Sequence, residues 1–285
     1  MQTIILHKSF PSALLTLSTT PPNQMQTPST TTEKAPFDDG ELFDLLFDNN
    51  FDYGLEFYVN LARQANSPIL DVACGTGRVM LPCLQAGLTV DGLDFFEPML
   101  ARLRTKANAL GLKPQLFQSD MSSFRLNRRY ALIIIPFNSF VHNLTADDQL
   151  GCLNCCREHL QPGGLLAFDA FFPGAALVTA PANIRQLELE KPHPVTGLPV
   201  RNYDTHQKNP VEQLLYSFNE LELLDAAGNV ATVHKSKTTI RWIYKNEMEL
   251  LLRLADFDHW EISGGFDGRS LVNDTDAMIV KAWTK

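Results

Sequence analysis

The sequence predicts an α/β fold built on a doubly wound, mostly parallel sheet, and three observations carry that prediction. Between residues 69 and 170, short apolar runs of strand length alternate with amphipathic stretches, as parallel strands alternate with crossover helices. The first of those runs ends in a Gly-rich turn, Cys74-Gly75-Thr76-Gly77, which opens a helix. Beyond residue 172 the pattern changes to long alternating segments, so a separate antiparallel β element is expected after the fifth strand.

Taken in order, residues 1–34 are rich in Ser, Thr, Pro and Gln and predict a disordered tail, with neither the apolar stretch of a secretory signal nor the arginines of a transit peptide. From Phe37 to Gln64, helical spacing of Leu42, Leu45 and Leu46, then of Leu55, Tyr58, Val59, Leu61 and Ala62, predicts two lead-in helices broken at Asp48-Asn49-Asn50. Strands are expected at 69–73, 88–94, 115–119, 130–136 and 164–170, with helices near 78–86, 97–110 and 146–160 between them. Gln161-Pro162-Gly163-Gly164 should end the last of these helices. The segments 214–224 and 230–244 flank Asp225-Ala226-Ala227-Gly228-Asn229 and read as a hairpin within a lid. A helix at 245–257 and strands at 259–264 and 276–283 would complete a seven-stranded sheet. The domain reading is therefore a tail (1–34), a core with its lead-in helices (35–174), an antiparallel β lid (175–244) and a closing helix with strands (245–285).

A chain of 285 residues that is 45% hydrophobic can bury a substantial core and is read as one catalytic unit. Its net charge of -8 argues against a basic footprint for nucleic acid or an anionic membrane. No apolar run reaches the roughly 18 residues a bilayer span needs. The five cysteines sit mostly in apolar surroundings and read as buried free thiols of a reducing compartment, with no metal role. A cytoplasmic monomer or homodimer with a small-molecule partner is the expectation.

The chemistry concentrates in Ile69-Leu-Asp-Val-Ala-Cys-Gly-Thr-Gly-Arg78. Gly75 and Gly77 let the backbone approach a ligand closely and take conformations a side chain forbids. Such turns also bind dinucleotides, but the third Gly of that fingerprint would fall at Met80. Asp71 inside the strand would moreover repel a pyrophosphate and welcome an ammonium.

Leu70–Gly77 (LDVACGTG) resembles the first motif of class I S-adenosylmethionine-dependent methyltransferases, and further motifs follow in order. The resemblance covers about Asp52 to Ala170. It implies a last strand running antiparallel, S-adenosylmethionine as cofactor, and cofactor contacts from Asp71, Ala73, Gly75, Gly77 and Arg78. In Val90-Asp-Gly-Leu-Asp94 the second motif ends on Asp94, implied as acceptor for both ribose hydroxyls, two charge-assisted hydrogen bonds to one carboxylate. Phe95 would pack on the adenine, with Met99 nearby. Asp120 and the Met121 amide resemble the adenine-recognition turn, and the fourth motif, Tyr130–His142, would face the methyl group with its carboxyl end and contribute Pro136 to the cofactor contacts.

The sulfonium cofactor is already a strong methyl donor, so the protein mainly supplies alignment, dehydration and, where needed, a base. His142, with an ordinary pKa near neutrality, is the leading candidate to contact or deprotonate the acceptor, and Asn138 could orient it. Tyr203, His206, Tyr216, Arg241 and Tyr244 of the lid are candidate substrate-facing groups, as is Tyr58 of the lead-in, and Tyr53 or Tyr58 could close over the methionine end of the cofactor. The absence of an Asn-Pro-Pro-Tyr-like sequence after the fourth strand favours a small acceptor, methylated on N or O. Three other readings stand beside this one: a nucleotide-dependent oxidoreductase, a non-catalytic protein that binds the same cofactor, and a nucleic-acid methyltransferase, which would call for a basic groove of which the composition gives little sign.

Overall fold

A computed structural model describes residues 30–33, 37–47, 53–65, 68–171 and 173–285. In chain order its elements are β1 (Thr30–Glu33), α1 (Gly40–Leu46), α2 (Leu55–Ala65), β2 (Ile69–Val72), α3 (Met80–Gln85), β3 (Val90–Asp94), α4 (Glu97–Ala109), β4 (Gln115–Gln118) and β5 (Tyr130–Ile135). There follow a 3-10 turn (Ser139–His142), α5 (Ala146–His159), β6 (Leu160–Ala170), α6 (Ala175–Thr179), β7 (Arg185–Pro192), β8 (Pro199–Asn209), β9 (Leu214–Leu224), β10 (Val230–Arg241), α7 (Lys245–Leu254), β11 (His259–Ser263) and β12 (Met278–Trp283).

The main sheet has seven strands in the order β11-β12-β6-β5-β2-β3-β4. Pairing is parallel from β6 through β4, while β12 runs antiparallel to both β6 and β11. The period of two along β5 shows why the sheet is covered on both faces. Leu132 and Ile134 pack with Tyr58, Met80, Leu100 and Leu103 of α2, α3 and α4, whereas Ile133 and Ile135 pack with Leu153, Met248 and Leu252 of α5 and α7. Each such fully buried aliphatic side chain is worth about 1.5 to 3 kcal/mol, which fixes the register of this central strand. The order reverses between β2 and β5, and doubly wound sheets bind ligands outside the strand ends at such a reversal.

The second sheet, built mostly from the segment expected as a lid, has the order β1-β10-β9-β8-β7. Its β9–β10 hairpin turns where expected, with Asp225 Oδ1 accepting from the amides of Ala227 and Asn229 at 2.9 Å each. Two of its strands, β7 and β8, have weaker alternation and are not foreseen in the sequence. Thr30–Glu33, expected within the disordered tail, pair in parallel with β10. Residues 1–29 and the predicted break at 48–50 lie outside the described residues. The turn expected at Gln161–Gly164 lies inside β6 instead. There the register slips between Tyr130↔Leu160 and Leu132↔Leu165, and Gly163, at φ 73°, lets the extra residues bulge out.

Helix α1 holds the pieces around the site together. Its N-cap Asp39 accepts from the amides of Glu41 and Leu42 at 3.1 Å, satisfying two orphan donors. Asp44 accepts from Thr76 Oγ1 at 2.6 Å, Arg102 Nε at 2.7 Å and Lys106 Nζ at 3.0 Å, tying the helix to the Gly-rich turn and to α4. Leu45 packs with Val200 and Leu221 of the lid. Among the described residues no helix is long and apolar enough to cross a membrane, and all five cysteines are free and buried.

Candidate functional site

After β2 the backbone turns through left-handed conformations at Ala73 (φ 55°), Gly75 (φ 54°) and Gly77 (φ 90°). The two glycines serve different ends. A Cβ on Gly75 would meet no atom within 4 Å, so this position opens outward. A Cβ on Gly77 would stand 2.3 Å from Leu103 Cδ1, so its bareness lets α4 pack under the turn.

Asp94, at the end of β3, braces that turn by accepting from Gly75 N at 2.8 Å with one carboxylate oxygen and from Phe96 N at 2.9 Å with the other. Burial raises its pKa, and the amides of Phe96, Gly75 and Phe95 partly counter that shift. With three amides on two oxygens, the carboxylate keeps acceptor capacity for a ligand hydroxyl. Beside it Phe95 is 57% exposed, a free aromatic face next to a fixed carboxylate.

Two buried groups each keep one atom without a hydrogen-bond partner. Asp71 is 1% exposed, and its Oδ1 accepts no hydrogen bond. Burial pushes its carboxyl up to about 8, against the lowering influence of nearby Arg78. Arg78 donates from Nη1 to the Tyr53 carbonyl at 2.9 Å and lies 4.9 Å from the Phe137 ring centre, but its buried Nη2 has no partner. Burial also lowers the Arg78 pKa. Orphaned buried polar atoms are costly, about 1 to 3 kcal/mol each, and point to a ligand that would satisfy them. A carboxylate and a guanidinium suit the ammonium and carboxylate of an amino acid.

At the ends of β5 and β6 the site has a rigid floor. Phe137 and Asn138 are consecutive left-handed residues, at φ 63° and 55°, strained for side chains of their size. Their amides both donate to buried Asp169, at 2.8 and 2.6 Å, and Tyr58 donates its hydroxyl to the same carboxylate. Asn138 Nδ2 donates to Tyr53 Oη at 3.2 Å, and the Tyr53 ring meets Phe137 and Phe266 edge-on. Asp169 is absent from the candidates read in the sequence. The signal available was a lone carboxylate inside the apolar run Leu165–Phe171, the same feature that marked Asp71.

The other expected residues lie at different depths. Tyr58 is fully buried and engaged with Asp169, so it presents nothing to a substrate. Met99 is 1% exposed and belongs to the interior beneath the site. Asp120 is exposed and forms a turn, its Oδ1 accepting from the amide and hydroxyl of Ser122 at 2.8 and 2.7 Å. Met121 is half-buried beside Asn143, and Pro136 is buried with its carbonyl accepting from Ser139 Oγ at 2.7 Å. His142 is half-buried edge-on to Phe37, its ring donating to the Thr239 backbone of β10. Burial pushes it down to about 4, so it is neutral at physiological pH, and the near-neutral titration expected of a base is not met.

In the lid, the register puts alternate residues on opposite faces. Val200, Asn202, Asp204 and His206 share the face of Leu221, which packs on α1. Tyr203 and Tyr216 point the other way, into a solvent-facing ladder of charges. Arg185 lies 3.3 Å over the Tyr203 ring while pairing with Glu220 and Glu222, and Lys237 lies 5.1 Å from the Tyr216 ring centre. Neither tyrosine is positioned to meet an acceptor at the inner face. Arg241 is a tie rather than a substrate group, donating to Gln149 Oε1 at 2.6 Å, Gln213 Oε1 at 2.9 Å and Glu247 Oε1 at 2.7 Å. Tyr244 is 41% exposed and caps the start of α7.

Residues 69–164 match the family model of a methyltransferase domain. Among curated proteins, the chain is 30% identical over 106 residues to the dTDP-3-amino-3,4,6-trideoxy-alpha-D-glucopyranose N,N-dimethyltransferase of Streptomyces venezuelae, covering 37% of this chain and 43% of that one. The match therefore spans less than half of that relative's length. It is 22% identical over 228 residues to the cypemycin N-terminal methyltransferase of a Streptomyces species, covering 80% of this chain and 87% of that one. Among solved structures, an S-adenosylmethionine-dependent methyltransferase from Clostridium acetobutylicum superimposes with a TM-score of 0.69 at 20% identity, covering 86% of this chain and 96% of that chain. The CcbJ methyltransferase from Streptomyces caelestis gives 0.69 at 22% identity, covering 88% and 99%. The chain shares its fold with solved S-adenosylmethionine-dependent methyltransferases, and one part of it matches the methyltransferase-domain model. The matched residues, 69–164, carry the Gly-rich turn and Asp94.

Proposed function

We propose that the protein transfers the methyl group of S-adenosylmethionine to a nitrogen or oxygen atom of a small molecule. The observation that carries this reading is the pair of orphaned buried groups, Asp71 Oδ1 and Arg78 Nη2, close to the outward opening at Gly75 and the braced carboxylate of Asp94. S-adenosylmethionine supplies a methyl group on a sulfonium sulfur, an electrophile that needs alignment more than activation. Asp71 would hold its ammonium, Arg78 its carboxylate, Asp94 the ribose diol and Phe95 the adenine face, with Asp120 and Met121 at the adenine edge and Ala73 and Pro136 in backbone contact. The floor held by Asp169 would keep Asn138 and Pro136 where the methyl group emerges, and His142, neutral and tied to β10, would fix the lid edge beside them.

The curated relative from Streptomyces venezuelae is named for N-methylation of an amino sugar nucleotide, which favours nitrogen as acceptor atom. The domain reading is carried forward: a core over 35–174, a lid over 175–244 covering the acceptor, and a closing unit over 245–285. We infer in addition a cytoplasmic location from five free thiols, an acceptor other than nucleic acid from the net charge of -8 and a monomer or homodimer.

Calorimetric titration with S-adenosylmethionine and separately with NADH tests the class. Micromolar binding of the sulfonium compound, weakened at least tenfold in Asp94→Ala by loss of about 1.5 to 3 kcal/mol of charged hydrogen bonding, is the expected result. Binding of NADH alone would replace this reading with an oxidoreductase. Methyl transfer in an acceptor screen separates an enzyme from a cofactor-binding protein.

A further inference from the structure

The inner face of the lid carries a polar group that the cofactor reading does not use. Along β8, Asn202, Asp204, His206 and Lys208 project to one side, and the register opposes them with Leu221, Asn219, Ser217 and Leu215 of β9. On β10 the same face continues through Ser236 and Thr238. This row is roofed at both ends. Val200, one step before Asn202, packs on Leu45 of α1, whose Asp44 holds the Gly-rich turn through Thr76. At the other end Lys208 Nζ donates to the carbonyls of Leu177 and Ala180 at 2.6 Å, capping α6 immediately after the strand that bears Asp169. The row therefore spans from the element over the Gly-rich turn to the element following the Asp169 floor, and its inner edge is joined to the core through Leu215 and Ile240.

Within that row two acceptor atoms are buried and unsatisfied. Asn202 is 9% exposed and its Oδ1 has no partner. Asp204 Oδ1 likewise has none, while its Oδ2 lies 3.0 Å from His206 Nε2. A structural role would have closed these atoms with the serine and asparagine side chains opposite them, as buried polar groups ordinarily are. Both orphans are acceptors, so the missing partner is a donor. Same-face residues on a strand are roughly 7 Å apart, which suits the width of a single substituted ring.

We propose that Asn202, Asp204 and His206 form the acceptor-binding site, taking a compact, ring-sized molecule that presents hydroxyl or amino donors. Asn202 and Asp204 accept its N–H or O–H groups, and His206 fixes the Asp204 carboxylate through the opposite oxygen. The inference rests on the methyltransferase reading for its purpose, but its contacts are independent of the cofactor pocket.

The test uses the full chain and the histidine ring resonances in NMR, with the His206 signal assigned by His206→Gln. Three probes are titrated: methyl glucoside, glucosamine, and permethylated methyl glucoside, which keeps the ring but has no donors. Saturable shifts of His206 by the first two and none by the third are expected, with Asn202→Leu and Asp204→Asn each weakening the probes about tenfold. Tighter binding of glucosamine than of methyl glucoside assigns an ammonium to Asp204. No saturable shift from either donor-bearing probe, an equal shift from the permethylated one, or unchanged affinity in Asn202→Leu overturns the proposal. S-adenosylmethionine affinity, measured on the same samples, should stay within about twofold, since the variants lie outside its pocket. Loss of cofactor binding in the wild type would instead strike the methyltransferase reading and leave the probe result standing.

Discussion

Asp71→Asn isolates the electrostatic cost of burying the Asp71 carboxyl. The Asp71 carboxyl has an ordinary pKa of 3.8 and stands near 8 in the folded protein because burial penalises its charge. A raised carboxyl pKa means that the folded state keeps a proton the unfolded state releases. Stability from this group is therefore fully retained below about pH 4 and lost as pH rises toward 8, by about 1.4 kcal/mol per unit. Between pH 5 and pH 8 the loss amounts to about 3 to 4 kcal/mol. An asparagine has the same shape and no titration, although its amide hydrogens lack acceptors, which costs about 1 to 3 kcal/mol at every pH. Urea unfolding at the two pH values should thus show the variant level with or below the wild type at pH 5 and gaining about 3 kcal/mol on it by pH 8. Parallel stability profiles would refute the reasoning, because they would show that Asp71 titrates alike in both states. The same pocket should release a proton on binding the ammonium of S-adenosylmethionine, visible as a binding heat near pH 7 that depends on the buffer's ionisation enthalpy and vanishes in Asp71→Asn.

Three further outcomes follow from the geometry. His142→Gln should flatten the acid side of the stability curve, since the His142 pKa, lowered by burial from 6.5 to about 4, makes stability that is present above pH 6.5 fall by up to about 3 kcal/mol toward pH 4; equal acid sensitivity in the variant would contradict this. Asp169→Asn should leave two strained amides poorly held and lower turnover more than cofactor affinity, with chemical denaturation reporting a loss of about 2 to 4 kcal/mol; unchanged turnover would remove Asp169 from the floor of the site. Gly77→Ala, whose Cβ would lie 2.3 Å from Leu103 at a φ of 90°, should destabilise by about 1 to 3 kcal/mol or more, whereas Gly75→Ala should fold with a smaller loss and weaken the cofactor; thermal melts and calorimetry on both variants separate packing from ligand approach.

Local pattern was enough to place the parallel core. The run Tyr130–Ile135 had to be a doubly buried strand because nothing in it could face water, and the Gly75–Gly77 turn had to follow a strand because only there does such a turn aim at a ligand. Asp71 and Asp94 stood out in the sequence because charge is rare at strand ends inside apolar runs, and their burial makes that rarity meaningful. What local pattern could not carry was direction across long separations. Whether Tyr203 or His206 faces the acceptor depends on the register of β8 against β9, a choice in which one residue's slip reverses every side chain. Asp169 became part of the site only because β6 lies beside β5, which brings its carboxylate under the amides of Phe137 and Asn138 from 31 residues away. His142 kept its place but lost its ordinary pKa, because desolvation depends on which groups pack over a ring. Sequence by itself therefore determined the fold class, the Gly-rich turn and the charged residues around it. Tertiary packing decided which of those groups stay charged, which are already engaged, and which keep atoms without a partner.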